Sequence, residues 1–258
     1  MIAEAAIQEV RMHEMENENV VRVRNLYKSF GDNRVLRDFS LSLTKGENVV
    51  VLGKSGSGKS VLIKCIIGLM KPDSGSIHVL GKSIPDLNHN QLDHIRAKVG
   101  FLFQSNALYD SMTVRENLEF PLRRHWIQSS KDHENNLVME ALTNVGLAET
   151  VDMMPSQLSG GMRKRIALAR TLILKPEIIL YDEPTTGLDP ITGKEISVLM
   201  NVLAKKYNTS SIIISHDLNC VKIVATRIVM LIDGLCYASS TYEELKKSND
   251  KKIKQFFE

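Results

Sequence analysis

The segment GKSGSGKS, residues 53–60, constrains the fold of this chain more than any other feature. It follows the apolar run 48–52, and an apolar segment with helical spacing begins at Val61. A strand that enters a glycine-rich loop and continues as a helix is the required context of the G-x-x-x-x-G-K-[ST] motif. We therefore predict an α/β fold in which the residues 53–60, hereafter the phosphate loop, leave the carboxyl end of a buried strand.

The residue types of this loop suit a phosphate group. Glycines let backbone N–H groups converge on an anion, and the following helix contributes the positive end of its dipole. Lys59 is expected to reach the β and γ phosphates of a nucleotide, and the Ser60 hydroxyl to bind Mg²⁺. The predicted nucleotide contacts in and beside the loop are Gly53, Lys54, Ser55, Gly56, Ser57, Gly58, Lys59, Ser60 and Val61.

A second apolar run, residues 178–181, ends in two acids. At the carboxyl end of a buried strand, Asp182 is placed to hold Mg²⁺ and Glu183 to polarise a water molecule for attack on the γ-phosphate. Two adjacent acids are also found in solvated turns. The phosphate loop in the same chain favours the catalytic interpretation.

Composition restricts the partners and the compartment. The 258 residues are 43% apolar and 24% charged, as in ordinary globular proteins, and the net charge of +3 gives no support for nucleic-acid binding. The basic run 163–165 is interpreted as a solvated helix face. Three widely spaced cysteines predict buried thiols in a reducing compartment. Because no apolar run reaches the ~18 residues that span a bilayer, we expect a cytosolic chain or one held at a membrane by another protein.

Apolar periodicity divides the chain into segments. Residues 1–19 are predicted to form an N-terminal tail, whose first fourteen residues are either disordered or lie before a true start at Met15. Helical periodicity between residues 114 and 162 predicts a helical insertion in the α/β core, and residues 242–258 predict a basic C-terminal helix. Runs typical of strands occupy residues 20–24, 41–43, 48–52, 76–79, 99–103, 178–181, 211–214 and 228–232.

A third motif is the signature segment LSGGM, residues 158–162, which precedes an amphipathic helix. Ser159, Gly160 and Gly161 give this helix start the chemistry of an anion site, and Ser159 also fits a helix N-cap. With these motifs in this order, residues 20–230 resemble the ATP-binding cassette (ABC) ATPases. The resemblance implies a P-loop NTPase cassette over residues 20–240, with a RecA-like core, an antiparallel β subdomain and a helical signature subdomain at about 105–162. Residues 241–258 would form a C-terminal helix or tail.

The resemblance also implies roles for single residues. Phe30 is similar to the aromatic residue that stacks on adenine, where tyrosine is common, and Gln104 to the glutamine that contacts Mg²⁺. Asp189 matches the loop that crosses to the partner subunit, and His216 the histidine that touches the γ-phosphate. Gly161 matches the signature glycine. In a head-to-tail homodimer, the signature segment of one subunit would close over ATP held by the phosphate loop of the other.

Among ABC proteins, the segments 103–123, 153–165 and 174–192 resemble the cassette subunits of Mla-type lipid transporters, which work with MCE proteins. The resemblance implies ATP and Mg²⁺ as ligands, and phospholipid transport between bacterial inner and outer membranes. It also implies a membrane permease and an MCE-domain protein as partners, and a peripheral position on the cytoplasmic face of the inner membrane. Relatives with a long coiled coil or with two cassettes do not fit the length of this chain. A cassette for another substrate and a permease-free soluble assembly ATPase remain alternatives.

Two apolar groups have two interpretations each. The cluster Ala107, Leu108, Tyr109 and Met112 is either a groove for a permease helix or ordinary core. Phe256 and Phe257 either dock on a neighbouring subunit or pack on their own chain.

Overall fold

The computed structural model describes residues 19–124 and 130–258. In these residues the strands form a four-stranded and a six-stranded sheet. The strands are β1 (Asn19–Phe30), β2 (Asn33–Thr44), β3 (Asn48–Leu52), β4 (Ser74–Val79), β5 (Lys82–Ser83), β6 (Val99–Leu102), β7 (Ile178–Asp182), β8 (Ser210–Ser215), β9 (Arg227–Ile232) and β10 (Leu235–Ser240). The smaller sheet is antiparallel, with the order β2-β1-β4-β5, and the larger has the order β10-β9-β3-β8-β7-β6.

Helices cover the larger sheet and build the insertion. They are α1 (Lys59–Ile66), α2 (His89–Ala97), α3 (Val114–Arg124), α4 (Lys131–Asn144), α5 (Gly160–Leu172), α6 (Pro190–Tyr207), α7 (Leu218–Val224), α8 (Tyr242–Lys246) and α9 (Lys251–Lys254), with short 3₁₀ helices at Ile84–Asp86, Ala148–Thr150 and Pro155–Gln157. Among the described residues, no helix has the length and apolar character needed to cross a membrane.

The parallel strands β3, β8 and β7 bring the predicted site residues to one edge. Their apolar runs are buried on both faces, as expected for central parallel strands. In the ladder Leu52 pairs with Ser215, and Asp182 pairs with Ile214. The loops that begin at Gly53, Glu183 and His216 therefore leave the sheet side by side.

The predicted α/β fold class is confirmed, but several strands differ from their predicted bounds. β1 and β2 run far beyond residues 20–24 and 41–43, because repeated register shifts between them interrupt the alternation of apolar and polar residues. β10 was not predicted, since its side chains alternate only between exposed and half-buried positions. The predicted tail over residues 1–19 lies, except for Asn19, outside the described residues.

The C-terminal segment was predicted as one basic helix from residue 242, and this is wrong: the structure has two short helices there, α8 and α9. Asp250 lies at the break, and its carboxylate caps α9 by accepting hydrogen bonds from the backbone of Lys252 and Ile253. The ring of Phe257 packs edge-on against Tyr242, with centroids 5.5 Å apart. Phe256 also packs against the core of its own chain.

The cysteines match the prediction of buried thiols in part. Cys65 and Cys220 are buried and Cys236 is half-buried, and all three are free thiols. Burial raises the pKa of both Cys65 and Cys220 to about 11.

Glu47 connects the two sheets, and we expect Glu47→Gln to lower the free energy of unfolding at pH 7 by about 1–3 kcal/mol. Its carboxylate accepts hydrogen bonds from Arg227 Nε at 2.7 Å and from the Thr44 amide at 3.0 Å. Burial works to raise the pKa of Glu47, but Arg227 and Thr44 outweigh it and hold the pKa below its ordinary value of 4.5. A depressed carboxyl pKa adds stability above the unfolded-state pKa, and that stability is lost as the pH falls through the folded-state pKa.

Urea unfolding between pH 7 and pH 3 tests this expectation. The stability difference between wild type and Glu47→Gln should shrink below about pH 4.5. The exposed Glu243 provides the control, because Glu243→Gln should leave stability nearly unchanged throughout. A difference that stays constant down to pH 3 would contradict the ion pair's contribution.

Candidate nucleotide-binding site

A cavity of about 300 Å³ lies at the edge where β3, β7 and β8 end. Its lining residues are Val35, Ser55, Gly56, Gly58, Lys59, Ser60, Val61, Gln104, Glu183 and His216. Apart from Val35, each of them was predicted from sequence as a nucleotide, metal or catalytic residue. Val35 was missed, although its place as the first apolar residue after the turn at Gly31 is a usable signal.

The phosphate loop is packed tightly against neighbouring strands. Gly58 has φ of 102°, and an added Cβ would lie 2.6 Å from Val35 Cγ1. At Gly53 an added Cβ would lie 2.8 Å from the carbonyl oxygen of Leu231. Both positions therefore require glycine, since any side chain would push the loop away from β2 or β9.

Lys59 is buried beneath the loop. Its Nζ donates hydrogen bonds to the carbonyl oxygens of Gly53 at 2.8 Å and Lys54 at 3.0 Å, and lies 3.8 Å from Glu183 Oε1. Burial lowers the pKa of Lys59, and the carboxylates of Glu183 and Asp182 partly oppose this. Phosphate oxygens are stronger partners for an ammonium group than neutral carbonyls, so Lys59 is placed to exchange these contacts for a nucleotide phosphate.

Ser60, which lines the cavity, is paired with Asp182 at the end of β7. Ser60 Oγ donates to Asp182 Oδ1 at 3.1 Å. Burial raises the pKa of Asp182, and repulsion from Glu183 adds to this while the Ser60 hydrogen bond opposes it. Among the described residues, no group of three or more His, Cys, Asp or Glu side chains could hold a metal ion. Mg²⁺ often uses one or two carboxylates together with substrate phosphates, so this pair fits Mg²⁺ that arrives with a nucleotide.

Glu183 has a strained backbone and a fixed carboxylate. Its φ is 52°, a left-handed conformation that costs a non-glycine residue about 1–3 kcal/mol. Its amide donates to the carbonyl of Ile214 at 3.0 Å, which anchors the residue to β8. The carboxylate is nearly buried, with Oε2 2.8 Å from His216 Nδ1 and 3.3 Å from Thr186 Oγ1. Strain of this kind clusters at functional sites.

The remaining predicted nucleotide contacts lie elsewhere. They are Phe30, Ser159, Gly160, Gly161 and Asp189, none of which lines the cavity in the described part of the chain. Gly53, Lys54 and Ser57 belong to the phosphate loop, but they are not among the residues that line the cavity either. Ser159 caps α5 by accepting from the Met162 amide at 3.2 Å, and Asp189 caps α6 by accepting from the Thr192 amide at 3.0 Å. Phe30 is 48% exposed at the end of β1.

The interpretation of residues 163–165 as a solvated face is wrong for Lys164. This side chain is only 1% exposed, and its Nζ donates to the backbone carbonyl of Gln104 at 3.1 Å. Helix α5 packs that side against the loop after β6, whereas Arg163 is exposed as expected. Lys164 is thus a residue beside the site that sequence reasoning missed.

Gly161 packs directly on helix α6, and we expect Gly161→Ala to destabilise the chain by about 1–2 kcal/mol. An added Cβ would lie 2.8 Å from Thr192 Cγ2. Thr192 is unable to rotate freely, because its Oγ1 donates to Asp189 Oδ2 at 2.6 Å. In the background of Thr192→Ser, which removes the methyl group and keeps the hydroxyl, Gly161→Ala should be tolerated.

Urea unfolding of wild type, both single variants and the double variant measures this coupling. Gly160→Ala is the matched control for helix propensity, since its added Cβ would meet only Leu188, at 4.0 Å. Additive losses in the double variant would contradict the proposed contact.

The chain matches known proteins over most of its length. Residues 36–186, which include β3, the phosphate loop and β7, match the family model described as ABC transporter. The chain is 39% identical to the probable ribonucleotide transport ATP-binding protein mkl of Mycobacterium tuberculosis over 92% of this chain, but it spans only 66% of that relative's length.

Two further matches cover nearly the whole of the other protein. The chain is 37% identical to the intermembrane phospholipid transport system ATP-binding protein MlaF of Haemophilus influenzae, over 93% of this chain and 90% of that one. A similar solved structure is a dimeric ATP-binding cassette in a post-hydrolysis state, bound to ADP and Pi. It has a TM-score of 0.78 and 33% identity, over 86% of this chain and 98% of that chain.

Proposed function

Because this chain belongs to the ABC transporter family, we propose that it is the subunit that binds and hydrolyses ATP in such a transporter. One observation carries the proposal: Lys59, the Ser60–Asp182 pair and the Glu183–His216 pair converge at the edge of one sheet. The reaction is ATP and water to ADP and phosphate. These groups supply phosphate binding, metal binding and a general base, the parts that phosphoryl transfer to water requires.

The binding residues hold the phosphates in the cavity. Lys59 and the amides of the phosphate loop bind the β and γ phosphates, while Phe30 stacks on adenine and Val35 contacts the nucleotide from β2. Ser60, Gln104 and Asp182 hold Mg²⁺. When bound, the metal neutralises negative charge on the phosphate oxygens.

Glu183 is the general base that takes a proton from the attacking water. His216 fixes the orientation of its carboxylate through the 2.8 Å contact between Nδ1 and Oε2. His216 is 61% exposed on the cavity side, which suits contact with the γ-phosphate.

The complete site requires a second copy of the chain. Ser159, Gly160 and Asp189 are exposed and lie outside the cavity, which suits residues that act on the nucleotide of a partner subunit. The similar solved cassette is dimeric. In the proposed homodimer, each ATP lies between the phosphate loop of one subunit and the signature segment of the other, including Gly161.

We propose phospholipid as the cargo, moved between bacterial inner and outer membranes with a permease and an MCE-domain protein. The similarity to MlaF along both chains supports this cargo. An exposed aromatic pair supports a permease: Tyr109 is 42% and Phe120 36% exposed, with ring centroids 4.8 Å apart. Of the cluster predicted as groove or core, Leu108 packs into the core while Tyr109 faces out. The subunit would then lie on the cytoplasmic face of the inner membrane.

A different cargo is the second candidate. The mycobacterial relative is named for ribonucleotide transport and is slightly more similar in sequence. The same site also fits a permease-free assembly ATPase. That function, however, gives no reason for the exposed aromatic pair Tyr109 and Phe120.

Purification of the tagged protein from native membranes in mild detergent, with mass spectrometry of bound proteins and lipids, tests these alternatives. Recovery of a permease and an MCE protein with phospholipid would support the proposal. Tyr109→Glu should release the permease, whereas Val202→Glu, on an exposed face of α6, should retain it. Recovery of soluble proteins alone would contradict the transporter, and a permease complex free of phospholipid would contradict the cargo.

A further inference from the structure

The loop that joins β6 to the permease-facing residues is strained. Within the Gln104 loop, residues 104–107, Asn106 has φ of 64° and Ala107 has φ of 51°. Two consecutive non-glycine residues in the left-handed region are unfavourable by themselves and persist only where surrounding contacts enforce them. The side-chain oxygen of Asn106 is also buried without a hydrogen-bond partner among the described residues. The loop therefore needs support from outside itself.

Helix α5 supplies that support with two cations. Lys164 Nζ donates to the carbonyl of Gln104 at 3.1 Å. Arg170 donates from Nη2 to the carbonyl of Asn106 at 3.0 Å and from Nη1 to that of Ala107 at 2.8 Å. The Arg170 guanidinium also lies 5.9 Å from the ring centroid of Tyr109. The carbonyls of the strained residues are thus held from a single helix.

Burial removes the charged groups of Lys164 and Arg170 from water, which is unfavourable. Burial lowers the pKa of Lys164 to about 8, and no carboxylate among the described residues pairs with it. Burial also lowers the pKa of Arg170. Removal of an unpaired buried charge relieves its desolvation cost, which offsets the loss of its hydrogen bond. Stability of the fold is therefore a poor explanation for Lys164, and its hydrogen bond to the Gln104 carbonyl indicates a role in the loop.

We propose that Lys164 and Arg170 are positioning residues, through which helix α5 holds the Gln104 loop in its strained form. The amino end of α5 carries Ser159 and Gly161, which in the proposed dimer face the partner's ATP. Farther along α5, Lys164 holds Gln104 beside the ATP of its own chain, and Arg170 holds Tyr109 at the permease. One rigid helix thus connects three surfaces, and a displacement of α5 moves Gln104 and Tyr109 with it. The consequences for Mg²⁺ and permease rest on the proposed function, whereas the hold on the loop does not.

Hydrogen exchange of the purified protein tests the hold directly. The Asn106 amide donates to the Phe103 carbonyl at 3.1 Å and the Tyr109 amide to Asn117 Oδ1 at 2.8 Å, so both should exchange slowly in wild type. Lys164→Met and Arg170→Met should each accelerate exchange in residues 104–109 by about tenfold or more, since a hydrogen bond to a charged group is lost. Exchange in β7 should be unchanged. Arg163→Met, an exposed position on the same helix, is the control.

Thermal unfolding and Mg²⁺ titration separate positioning from general stabilisation. Lys164→Met should keep or raise the melting temperature, since it removes an unpaired buried charge. It should raise the Mg²⁺ concentration for half-maximal ATPase activity by about tenfold, with the rate at saturating Mg²⁺ largely retained. Unchanged exchange of residues 104–109 in both Met variants would overturn the proposal. Faster exchange with unchanged Mg²⁺ dependence would support the hold on the loop and contradict the Mg²⁺ role proposed for Gln104.

Discussion

Glu183→Gln is expected to bind ATP with little change in affinity, to accumulate as an ATP-bound dimer and to lose at least about 100-fold in turnover. The amide has nearly the shape of the carboxylate and can still accept the hydrogen bond from His216, but it is unable to take a proton from water. Lys59, Ser60 and Asp182 remain in place to bind the nucleotide. The Glu183→Gln variant should therefore stop after ATP binding and before ATP hydrolysis.

Steady-state hydrolysis and gel filtration with ATP measure the two parts of this result. Glu177→Gln is the matched control, because this exposed acid lies just before β7 and pairs with Lys98 at 3.0 Å, at the opposite end of the strand from Glu183. It should hydrolyse ATP at the wild-type rate. Unaltered hydrolysis by Glu183→Gln would remove Glu183 from the role of general base.

Lys59→Met is expected to weaken ATP binding by about 10- to 100-fold, since charge-assisted hydrogen bonds to phosphate are lost. Methionine has a similar length, and the Glu183 carboxylate, which loses the ammonium 3.8 Å away, keeps its contacts with His216 and Thr186, so the fold should be retained. Calorimetric titration with ATP measures the affinity. Lys64→Met, on the exposed face of α1, should bind as wild type does. Equal affinities for the Lys59 and Lys64 variants would contradict the assigned phosphate contact.

Local patterns allowed the sequence to predict the centre of the site. The phosphate loop and Glu183 follow continuous apolar runs, and the carboxyl ends of buried parallel strands meet at one edge of a sheet. The placement of these groups therefore follows from strand–loop order alone. Val35 was missed because its contact with Gly58 depends on how β2 crosses the loop, which sequence spacing does not encode.

Tertiary packing overrode local patterns elsewhere. Lys164 lies between two arginines, and its neighbours suggested a solvated face, yet the loop after β6 covers it. Asn106 and Ala107 both adopt a left-handed backbone conformation. Because neither residue is a glycine, the sequence does not signal this turn. The register shifts between β1 and β2 likewise concealed two long strands. For Lys164 and for the pair Asn106 and Ala107, the deciding contact is made by residues 60 to 64 positions away in sequence.

A mixing experiment tests whether each ATP site is formed by two chains. Lys59→Met damages the phosphate loop. Gly160→Glu places a carboxylate on the exposed start of α5, where the nearest contact of an added Cβ is Leu188 at 4.0 Å, so it should leave its own chain folded. At an ATP concentration near the wild-type Kd, each variant alone should be nearly inactive. A Lys59→Met dimer binds ATP poorly, and the carboxylate of a Gly160→Glu dimer repels the ATP held by the partner subunit.

When the two variants are mixed in equal amounts, half of the dimers should contain one chain of each kind, with one intact site and one doubly damaged site. We expect recovery of up to about a quarter of the wild-type ATPase rate. Failure to recover any activity, with mixed dimers shown to form by capture on a tag carried by one variant, would contradict a site shared between subunits.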